Sequence, residues 1–426
     1  MRITIVVDRY YPHTGGIEQY LRGLCRQLNK DGHGISIITG PAAGAPAEER
    51  RAEGQIVRSP LLERALPDPG KILGRARQIV ELIEPTEPDV VYANNHASLG
   101  SIRAAKILGV PVVYGCHGWG LMCPSKIRFV KHSGELCHAE TGLRSCMSCY
   151  ADGPAPLRIK LPGFAKQAVR VRSYMGFRRI LDSADARIGV SKLAASMFRE
   201  QRNTFAIYPG LDLDVYRPTD ASDFRAAYGL EGSYVLVPGR INPIKGQLDA
   251  VYALRESRLE AKIVFAGNAA LDPDRPLELG RYGQQVMQTV RRLRLGDRVV
   301  FTGMLSRRQM IEAYSGATAT LVPSTWFEPF GYVAAESMAC GTPVVITSNS
   351  GAAELVDDSV GQTVPRQDPE AMAKALERVA GLGPGVREAA RRRAMEFLGW
   401  PKVAGEVLSV LNAAAGRRAE LEVNAA

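Results

Sequence analysis

The chain has 426 residues, of which 46% are hydrophobic and 23% charged. This length exceeds one ordinary core, so we expect two domains, and the composition is that of a globular protein. No apolar run reaches the roughly 18–20 residues of a membrane span. The short apolar start before Asp8 indicates a buried strand and not a signal peptide, so we expect a cytoplasmic protein.

The net charge of +10 belongs to the first half of the chain. Residues 1–210 hold 29 Lys and Arg against 18 Asp and Glu, whereas residues 211–426 hold 25 against 26. The excess is densest over residues 126–179, with 11 basic and 3 acidic residues. Such a region attracts anionic lipid, nucleic acid or an acidic substrate. A solvated basic face without a partner is an equally good interpretation.

Residues 1–210 predict repeated units of strand and helix. The predicted strands are Ile3–Val7, Ile35–Thr39, Asp89–Tyr92, Val110–Tyr114 and Ala186–Val190. Gly15-Gly16 precede an amphipathic helix, Ile17–Asn29, and the composition of Ala42–Glu53 indicates a mobile loop. Strands that alternate with helices favour a parallel, doubly wound sheet.

A second series of such units follows a break at Tyr208-Pro209-Gly210. Its predicted strands are Tyr234–Pro238, Ile263–Ala266, Val299–Phe301, Thr318–Val322 and Val344–Thr347. Two α/β domains of similar size imply a cleft between them. The predicted boundaries are a first Rossmann-like domain over 1–210, a linker over 211–228, a second Rossmann-like domain over 229–390, and C-terminal helices with a frayed tail over 391–426.

The stretch EPFGYVAAE places Glu328 and Glu336 on either side of seven residues, between two apolar runs. The pattern predicts a strand, a turn, a helix opened by Gly331 and another strand. Glu328 then lies at the carboxyl end of a strand, where open α/β sheets bind ligands. A carboxylate beside a helix N-terminus suits a ligand with hydroxyls and an anionic part, such as a nucleotide-sugar. Two glutamates at this spacing are, taken alone, more often a surface residue and a helix residue without a ligand.

The stretch GRINPIKG, residues 239–246, also follows a predicted strand and precedes a helix. Arg240 offers a planar fork for phosphate oxygens, and Lys245 offers a mobile point charge. Both project from the sheet edge that carries Glu328. Two cations, a loop carboxylate and a helix N-terminus together suit a diphosphate with a sugar attached. Alone, this stretch is more often a basic loop.

These motifs resemble those of the retaining glycosyltransferases of family 4, which have the GT-B fold. The resemblance covers most of the chain and rests on six motifs. They are Gly15-Gly16, His117-Gly118, Pro-Gly-Leu-Asp at 209–212, GRINPIKG, EPFGYVAAESMACGTPVV, and Ser350-Gly-Ala-Ala-Glu354. It implies an α/β protein of two Rossmann-like, doubly wound parallel-sheet domains that face a cleft. It also suggests that the last helices pack back on the first domain.

The resemblance implies the roles of the donor-binding residues in the second domain. Arg240 and Lys245 are expected to hold the diphosphate of a nucleotide-sugar. Glu328 is expected to contact the transferred sugar, with the main-chain N–H groups of Phe330 and Gly331 nearby. As a second carboxylate, Glu336 is expected to accept hydrogen bonds from the ribose hydroxyls.

Two residues of the first domain carry expected roles as well. Gly16 lets the backbone approach the donor diphosphate, and His117 contacts the donor sugar. The resemblance implies transfer with retained configuration and without a catalytic metal. In the favoured account the leaving phosphate assists attack on the same face, and Glu328 positions and stabilises the sugar without becoming a covalent nucleophile. The acceptor, whether a surface glycan, a lipid carrier or a small natural product, stays open.

Four cysteines lie within a segment that the family does not share, an insert over about 119–155. Cys123, Cys137, Cys146 and Cys149 have the spacing C-x13-C-x8-C-x2-C. In a reducing compartment, clustered cysteines with a CxxC pair are typical of a structural tetrahedral zinc site. A set of free thiols in an inserted loop is an equally good interpretation.

Two alternative functions remain open at this point. A nucleotide-sugar epimerase of the same fold would use the donor without an acceptor. The basic region over 126–179 would suit peripheral contact with an anionic membrane beside a transferase role. The alternative of another class is a basic membrane- or nucleic-acid-binding protein. No nucleic-acid-binding module is recognisable, and we expect no nucleic-acid partner.

Overall fold

The computed structural model describes residues 1–13, 15–62, 69–123, 137, 146, 149, 161–198, 201–268 and 280–423. For residues 69–74, 161–167 and 417–423 it describes the backbone alone. The chain divides into two compact units. Unit 1 comprises Met1–Gly210 and Trp400–Ala426, and unit 2 comprises Leu211–Gly399.

Unit 1 contains an eight-stranded sheet in the order β3-β4-β2-β1-β5-β6-β7-β8. The strands are β1 Arg2–Val6, β2 Gly34–Thr39, β3 Glu48–Arg51, β4 Gly54–Arg58, β5 Val90–Asn94, β6 Val112–Cys116, β7 Ala186–Gly189 and β8 Thr204–Ala206. All neighbours pair parallel except β3 and β4. The central strands β5 and β6 are buried along their whole length, as expected for parallel strands that are covered on both faces.

Helices connect and cover these strands. They are α1 Gly16–Lys30, α2 Pro69–Ile83, α3 Ser98–Ile107, α4 Leu161–Asp182, α5 Lys192–Ala195 and, after unit 2, the last helix Trp400–Val423. That last helix packs on α1 within unit 1, where the indole of Trp400 lies against Gly23 and Gly210.

Unit 2 contains a fully parallel six-stranded sheet in the order β11-β10-β9-β12-β13-β14. The strands are β9 Ser233–Pro238, β10 Ala261–Ala266, β11 Val299–Gly303, β12 Ala319–Val322, β13 Val344–Thr347 and β14 Gly361–Val364. The helices of this unit are α6 Ser222–Ala227, α7 Gln247–Glu256, α8 Arg281–Arg292, α9 Arg307–Gly316, α10 Tyr332–Ala339, α11 Pro369–Ala380 and α12 Gly385–Leu398. The last helix of unit 1, Trp400–Val423, is therefore α13.

The two ends of unit 2 lie side by side. Leu211 forms a parallel bridge with Gly399, and its N–H donates to the carbonyl of Leu398 at 2.8 Å. Residues 211–228, predicted to be a linker, belong to unit 2 and contain α6, in which Phe224 is buried. The chain therefore enters and leaves unit 2 at one place.

The predicted fold class, two doubly wound α/β domains, is confirmed. The expected mobile loop over Ala42–Glu53 is wrong in part, because Glu48–Arg51 forms β3 and pairs antiparallel with β4. Glu49 of β3 accepts hydrogen bonds from Arg51 and from Arg58 of β4, which tie this short polar strand to the sheet. In the described parts of the chain, none of the helices is both long enough and apolar enough to cross a membrane.

Candidate active site

The candidate active site of unit 2 lies where the strand order of its sheet reverses. The chain proceeds from β9 outward through β10 and β11, then returns to β12 on the other side of β9 and continues outward through β13 and β14. Open α/β sheets bind ligands beyond the carboxyl ends of the strands at this switch point. The loops after β9 and β12 contain GRINPIKG and the segment that leads to EPFG.

The loop after β9 is held by turns that place Arg240 and Lys245 at the sheet edge. Asn242 accepts a hydrogen bond from the N–H of Ile244 at 3.1 Å and begins a short 3-10 turn, Pro243–Lys245. The amide of Gln247 donates to the carbonyl of Arg240 at 3.0 Å. Arg240 is exposed, and within the described part of the chain its guanidinium forms no hydrogen bond or ion pair. Such a group is available to an anionic ligand.

Gly246 allows the two loops to approach each other closely. Its φ is +68°, and a Cβ there would lie 1.9 Å from the carbonyl oxygen of Pro323, just after β12. The N–H of Thr325 donates to the carbonyl of Ile244 at 3.0 Å. The loops after β9 and β12 are therefore joined by backbone contacts.

We expect Gly246→Ala to lower the free energy of unfolding by about 1–3 kcal/mol. Alanine disfavours the left-handed backbone conformation at this position, and its Cβ would clash with the carbonyl oxygen of Pro323. Urea unfolding measures the change. Gly232→Ala, at an exposed position of unit 2 with no atom within 4 Å of the added carbon, serves as the matched control. Equal stability of the two variants would contradict the requirement for glycine at 246.

Glu328 is fixed at both its backbone and its carboxylate. Its N–H donates to the carbonyl of Asn349, and its carbonyl accepts from the N–H of Gly351, each at 2.9 Å. Lys245 Nζ donates to Oε1 at 2.5 Å, and Ser324 Oγ donates to Oε2 at 2.7 Å. Lys245 and Glu328, 83 positions apart in the sequence, therefore form an ion pair. Their side chains are only 20% and 12% exposed, respectively.

The electrostatics of Glu328 favour its charged form. Burial alone would raise the pKa of the carboxyl group, but the charge of Lys245 and the hydrogen bonds from Lys245 and Ser324 outweigh burial. The pKa of Glu328 therefore lies below its ordinary value of 4.5. The carboxylate is an acceptor and a negative charge at neutral pH, as expected for a group that contacts a sugar.

Phe330 and Gly331 form the entry to α10. The carbonyl of Phe330 accepts from the N–H of Ala352 at 2.8 Å and from Ser350 Oγ at 2.7 Å. Gly331 has a φ of +102°, and a Cβ there would lie 3.0 Å from Ser350 Oγ. Ser350 and its neighbours thus hold the start of α10 in position, where the N–H of Ala334 donates to the carbonyl of Gly331 at 3.1 Å.

Glu336 lies on α10 in an environment unlike that of Glu328. Tyr314 of α9 donates a hydrogen bond to Glu336 Oε2 at 2.8 Å. Burial raises the pKa of Glu336, and hydrogen bonds from Tyr314 and Tyr216 oppose this rise only in part. The pKa of Glu336 is therefore raised while that of Glu328 is lowered, so the two glutamates lie in different electrostatic environments.

His117 follows β6 in unit 1. Asn94 donates its amide to the carbonyl of Tyr92 at 3.1 Å, so its Oδ1 accepts from His117 Nε2 at 3.2 Å. The ring of Tyr20 packs on the imidazole with a centroid distance of 4.6 Å. Burial lowers the pKa of His117 to about 3, so the ring is neutral, with its proton on Nε2. Nδ1 is then an acceptor.

We expect a pH effect on stability that depends on His117. The unfolded state takes up a proton near pH 6.5 while the folded state does not, so stability falls as the pH falls. Between pH 7 and pH 5 the loss from this group is about 2 kcal/mol. Urea unfolding at both pH values should show it for the native protein and not for His117→Asn. An equal loss in both proteins would contradict the neutral ring.

Gly16 is the first residue of α1, and the extended residue Gly15 precedes the helix. Gly16 is exposed, and the carboxylate of Glu18 accepts a hydrogen bond from its own backbone N–H in the first turn of α1. A side chain on Gly15 would clash with Glu18, whose carboxylate would lie 2.4 Å from the added carbon. The absence of a side chain at Gly15 therefore leaves room for the carboxylate of Glu18.

The predicted zinc site is not supported. The described residues include Cys123, Cys137, Cys146 and Cys149, and they contain no group of three or more His, Cys, Asp or Glu residues that could hold a metal ion. A tetrahedral zinc site needs four ligand atoms within about 2.3 Å of one point, which this arrangement does not provide. His132 and His138, two histidines of the same insert that could also bind zinc, lie outside the described residues.

Some site residues were absent from the sequence prediction. Ser324 is the second residue after β12, and its position four residues before Glu328 is the signal that would have identified it. Asn349 fixes the same loop, because its amide donates to the carbonyl of Ser324 at 2.9 Å and to that of Trp326. Tyr314 is 22 residues away from its partner Glu336, and no local pattern indicates that contact.

The chain is similar to known glycosyltransferases along most of its length. The model of glycosyltransferase family 4 matches residues 14–215, and the model of glycosyl transferases group 1 matches residues 220–395. A D-inositol 3-phosphate glycosyltransferase of Acidothermus cellulolyticus is 27% identical over 95% of this chain and 87% of that protein. One of Xylanimonas cellulosilytica is 34% identical, but the match covers 49% of this chain and about half, 51%, of that relative.

Solved structures share the fold. Sucrose-phosphate synthase from Thermosynechococcus elongatus has a TM-score of 0.68 at 22% identity, over 97% of this chain and 99% of that one. Anabaena HepE in complex with UDP has a TM-score of 0.68 at 20% identity, over 97% of this chain and 100% of that one. The chain therefore belongs to the glycosyltransferases of family 4, has the GT-B fold, and transfers sugar from a nucleotide-sugar donor.

Proposed function

We propose that unit 2 binds a nucleoside diphosphate sugar and that transfer retains the configuration of the sugar. The contact between Lys245 Nζ and Glu328 Oε1, 2.5 Å long at the switch point, carries this proposal. A cation there neutralises the diphosphate, and the adjacent carboxylate faces the sugar. Arg240 supplies a second cation, and the ribose binds Glu336.

The chemistry requires that the charge of the leaving group be stabilised. The bond between the anomeric carbon and the diphosphate oxygen breaks, and the acceptor oxygen bonds to the same face of the sugar. The acceptor's proton passes to the leaving diphosphate oxygen. Lys245, Arg240 and the N-terminus of α10 stabilise the negative charge on the diphosphate, and Glu328 stabilises the positive charge on the sugar.

In unit 1, His117 is proposed to contact the donor sugar, and the exposed N-terminus at Gly16 is proposed to approach the diphosphate. The neutral ring of His117 supports this role, because its Nδ1 can accept a hydrogen bond from a sugar hydroxyl. The small size of Gly16 supports close approach of the backbone.

Unit 1 is proposed to hold the acceptor, for which we infer a hydroxyl-rich compound. Asp8 follows β1 and His96 follows β5, the neighbouring strands at which the order of this sheet reverses. Asp8 is only 4% exposed, and its Oδ1 has no hydrogen-bond partner among the atoms that the structure describes. Its Oδ2 lies 3.8 Å from His96 Nδ1. An unsatisfied buried carboxylate oxygen suits a ligand hydroxyl.

Asp8→Asn tests the acceptor site. We expect the KM for the acceptor to rise about tenfold, since a hydrogen bond to a charged group is lost, while the KM for the donor stays within twofold. Initial rates with each substrate varied in turn measure both constants. A rise in the donor KM alone would contradict the assignment.

A panel of nucleotide-sugars tests the donor site. Uridine, guanosine and adenosine diphosphate sugars are each added to the protein, and the unfolding temperature is recorded. A donor at a hundred times its Kd adds about 2.7 kcal/mol to stability. The stabilising donor is then incubated with candidate acceptors. These include inositol 3-phosphate, which appears in the names of the relatives from Acidothermus cellulolyticus and Xylanimonas cellulosilytica. The anomeric configuration of the product is read by NMR.

Product analysis also separates transfer from epimerisation. An epimerase releases an altered nucleotide-sugar without an acceptor, whereas a transferase forms a glycoside only when an acceptor is present. The similar curated proteins are glycosyltransferases, which favours transfer. A new nucleotide-sugar in acceptor-free reactions would support the alternative.

The basic region over 126–179 is proposed to make peripheral contact with anionic membranes. Support comes from the described part of α4, where Val169 is 66% exposed and lies beside the exposed Arg170 and Arg172. Exposed apolar and basic side chains together favour an anionic lipid surface. Flotation with vesicles that contain anionic lipid tests the contact, and neutral vesicles are the control.

A further inference from the structure

We propose that Tyr314, with Tyr216, positions the carboxylate of Glu336 so that it accepts hydrogen bonds from the two ribose hydroxyls of the donor. This inference rests on the proposed function, in which Glu336 binds the ribose. The phenol of Tyr314 is fully buried, and its oxygen lies 2.8 Å from Glu336 Oε2. The phenol of Tyr216 also interacts with this carboxylate and lowers the pKa of Glu336.

The hydrogen-bonding capacity of the carboxylate matches this arrangement. A carboxylate has about four acceptor positions and, when ionised, no donor. Two phenol donors occupy about half of them and leave the rest for two hydroxyls of a ligand. Without the phenols, the carboxylate could rotate about its terminal torsion, which has a broad energy profile. The phenols thus select one orientation before the donor binds.

Two arginines of α12 hold the tyrosines. Arg387 donates to the carbonyl of Ala317 at 3.0 Å and also to that of Ser315, at the end of α9, which contains Tyr314. It also donates to Thr342 Oγ1 at 3.2 Å, and that hydroxyl donates to the carbonyl of Tyr314 at 2.6 Å. The backbone beneath the phenol is therefore fixed on its C-terminal side.

The second arginine, Arg391, lies one helical turn further along α12. Its Nη1 donates to the carbonyl of Tyr216 at 2.7 Å and to that of Ala339, the last residue of α10, at 2.9 Å. The same side chain thus joins Tyr216 to the helix that contains Glu336. Both arginines bind carbonyl groups at helix ends, which have no partner within their own helix.

The test is a thermodynamic cycle that removes the phenol from the protein and the ribose hydroxyls from the ligand, singly and together. Calorimetry measures the Kd of uridine diphosphate and of its 2′-deoxy and 3′-deoxy analogues for the native protein and for Tyr314→Phe. If the donor panel selects another base, the diphosphates of that base are used. We expect Tyr314→Phe to weaken binding of the ribose form about tenfold and to weaken the deoxy forms clearly less.

Tyr234→Phe is the matched control. Tyr234 is also fully buried in unit 2, and its hydroxyl donates to the carbonyl of Ala313 at 2.7 Å, next to Tyr314. The Tyr234→Phe variant loses a buried phenol hydrogen bond but keeps the contacts of Glu336. We expect it to lower stability and to retain the full native difference between the ribose and deoxy ligands. If Tyr314→Phe does not fold, Tyr216→Phe replaces it in the cycle.

The outcomes separate the inference from the function on which it rests. If Tyr314→Phe keeps the native discrimination between ribose and deoxyribose while Glu336→Gln loses it, the positioning role is wrong and the ribose role of Glu336 stands. If Glu336→Gln also keeps that discrimination, the ribose role itself is wrong. Loss of discrimination in both variants, but not in Tyr234→Phe, supports the inference.

Discussion

Replacing Lys245 by alanine is expected to lower kcat by about 10²–10³-fold, because one preorganised positive charge at the leaving diphosphate is lost. The variant also removes the partner of Glu328, whose Oε1 lies 2.5 Å from Nζ in the native protein. Glu328 keeps its hydrogen bond from Ser324, so the loop retains its place and the protein folds. Steady-state rates at saturating donor and acceptor measure the change.

The control for this prediction is Lys374→Ala. Lys374 also pairs with a glutamate of unit 2, Glu370, at 2.6 Å, but both side chains are 73% exposed. Solvent screens such exposed pairs, so neither kcat nor stability should change by much. A kcat for Lys245→Ala within threefold of the native value would show that Lys245 does not act on the leaving group.

Replacing Glu328 by glutamine is expected to lower kcat by roughly 10²-fold, because the negative charge beside the positive sugar is lost while the shape of the side chain is kept. Lys245 and Glu328 are in direct contact, and the proposed function has both act on one transition state. The double variant Lys245→Ala/Glu328→Gln should therefore lose less activity than the product of the two single losses. Independent, multiplicative losses would contradict their action as a pair.

Stability gives a second measure of the same carboxylate. The pKa of Glu328 in the folded protein lies below its ordinary value of 4.5. Its contribution to stability is thus present above that pH and is lost as the pH falls through the folded pKa. Urea unfolding at pH 7 and pH 4 should show a larger acid loss for the native protein than for Glu328→Gln.

The sequence allowed prediction of those features whose physical cause is local. Buried parallel strands appear as short apolar runs between turn residues, so the strands of both switch points were located to within a few residues. Arg240, Lys245 and Glu328 lie in the loops that follow these strands. Once the sheet is parallel, such residues must share one edge, and the structure brings Lys245 and Glu328 into direct contact.

Contacts between distant segments could not be predicted in this way. Glu328 depends on Asn349 and Gly351, and Glu336 depends on Tyr314, but each of these residues has an ordinary local context. The strand Glu48–Arg51 was missed for the same reason. Its sequence, EERR, has no β-forming pattern, and the partner that stabilises it, Arg58, belongs to another strand. Tertiary context decides such elements.

The bridge between Leu211 and Gly399 has a practical consequence for work with unit 2 alone. Because both ends of unit 2 leave it at one place, excision of residues 211–399 requires no cut through its sheet or core. The recombinant fragment would contain every residue of the Lys245–Glu328 pair and of the tyrosine and arginine network. It is therefore the natural sample for NMR titration with nucleotides, and the natural cassette for exchange between related transferases.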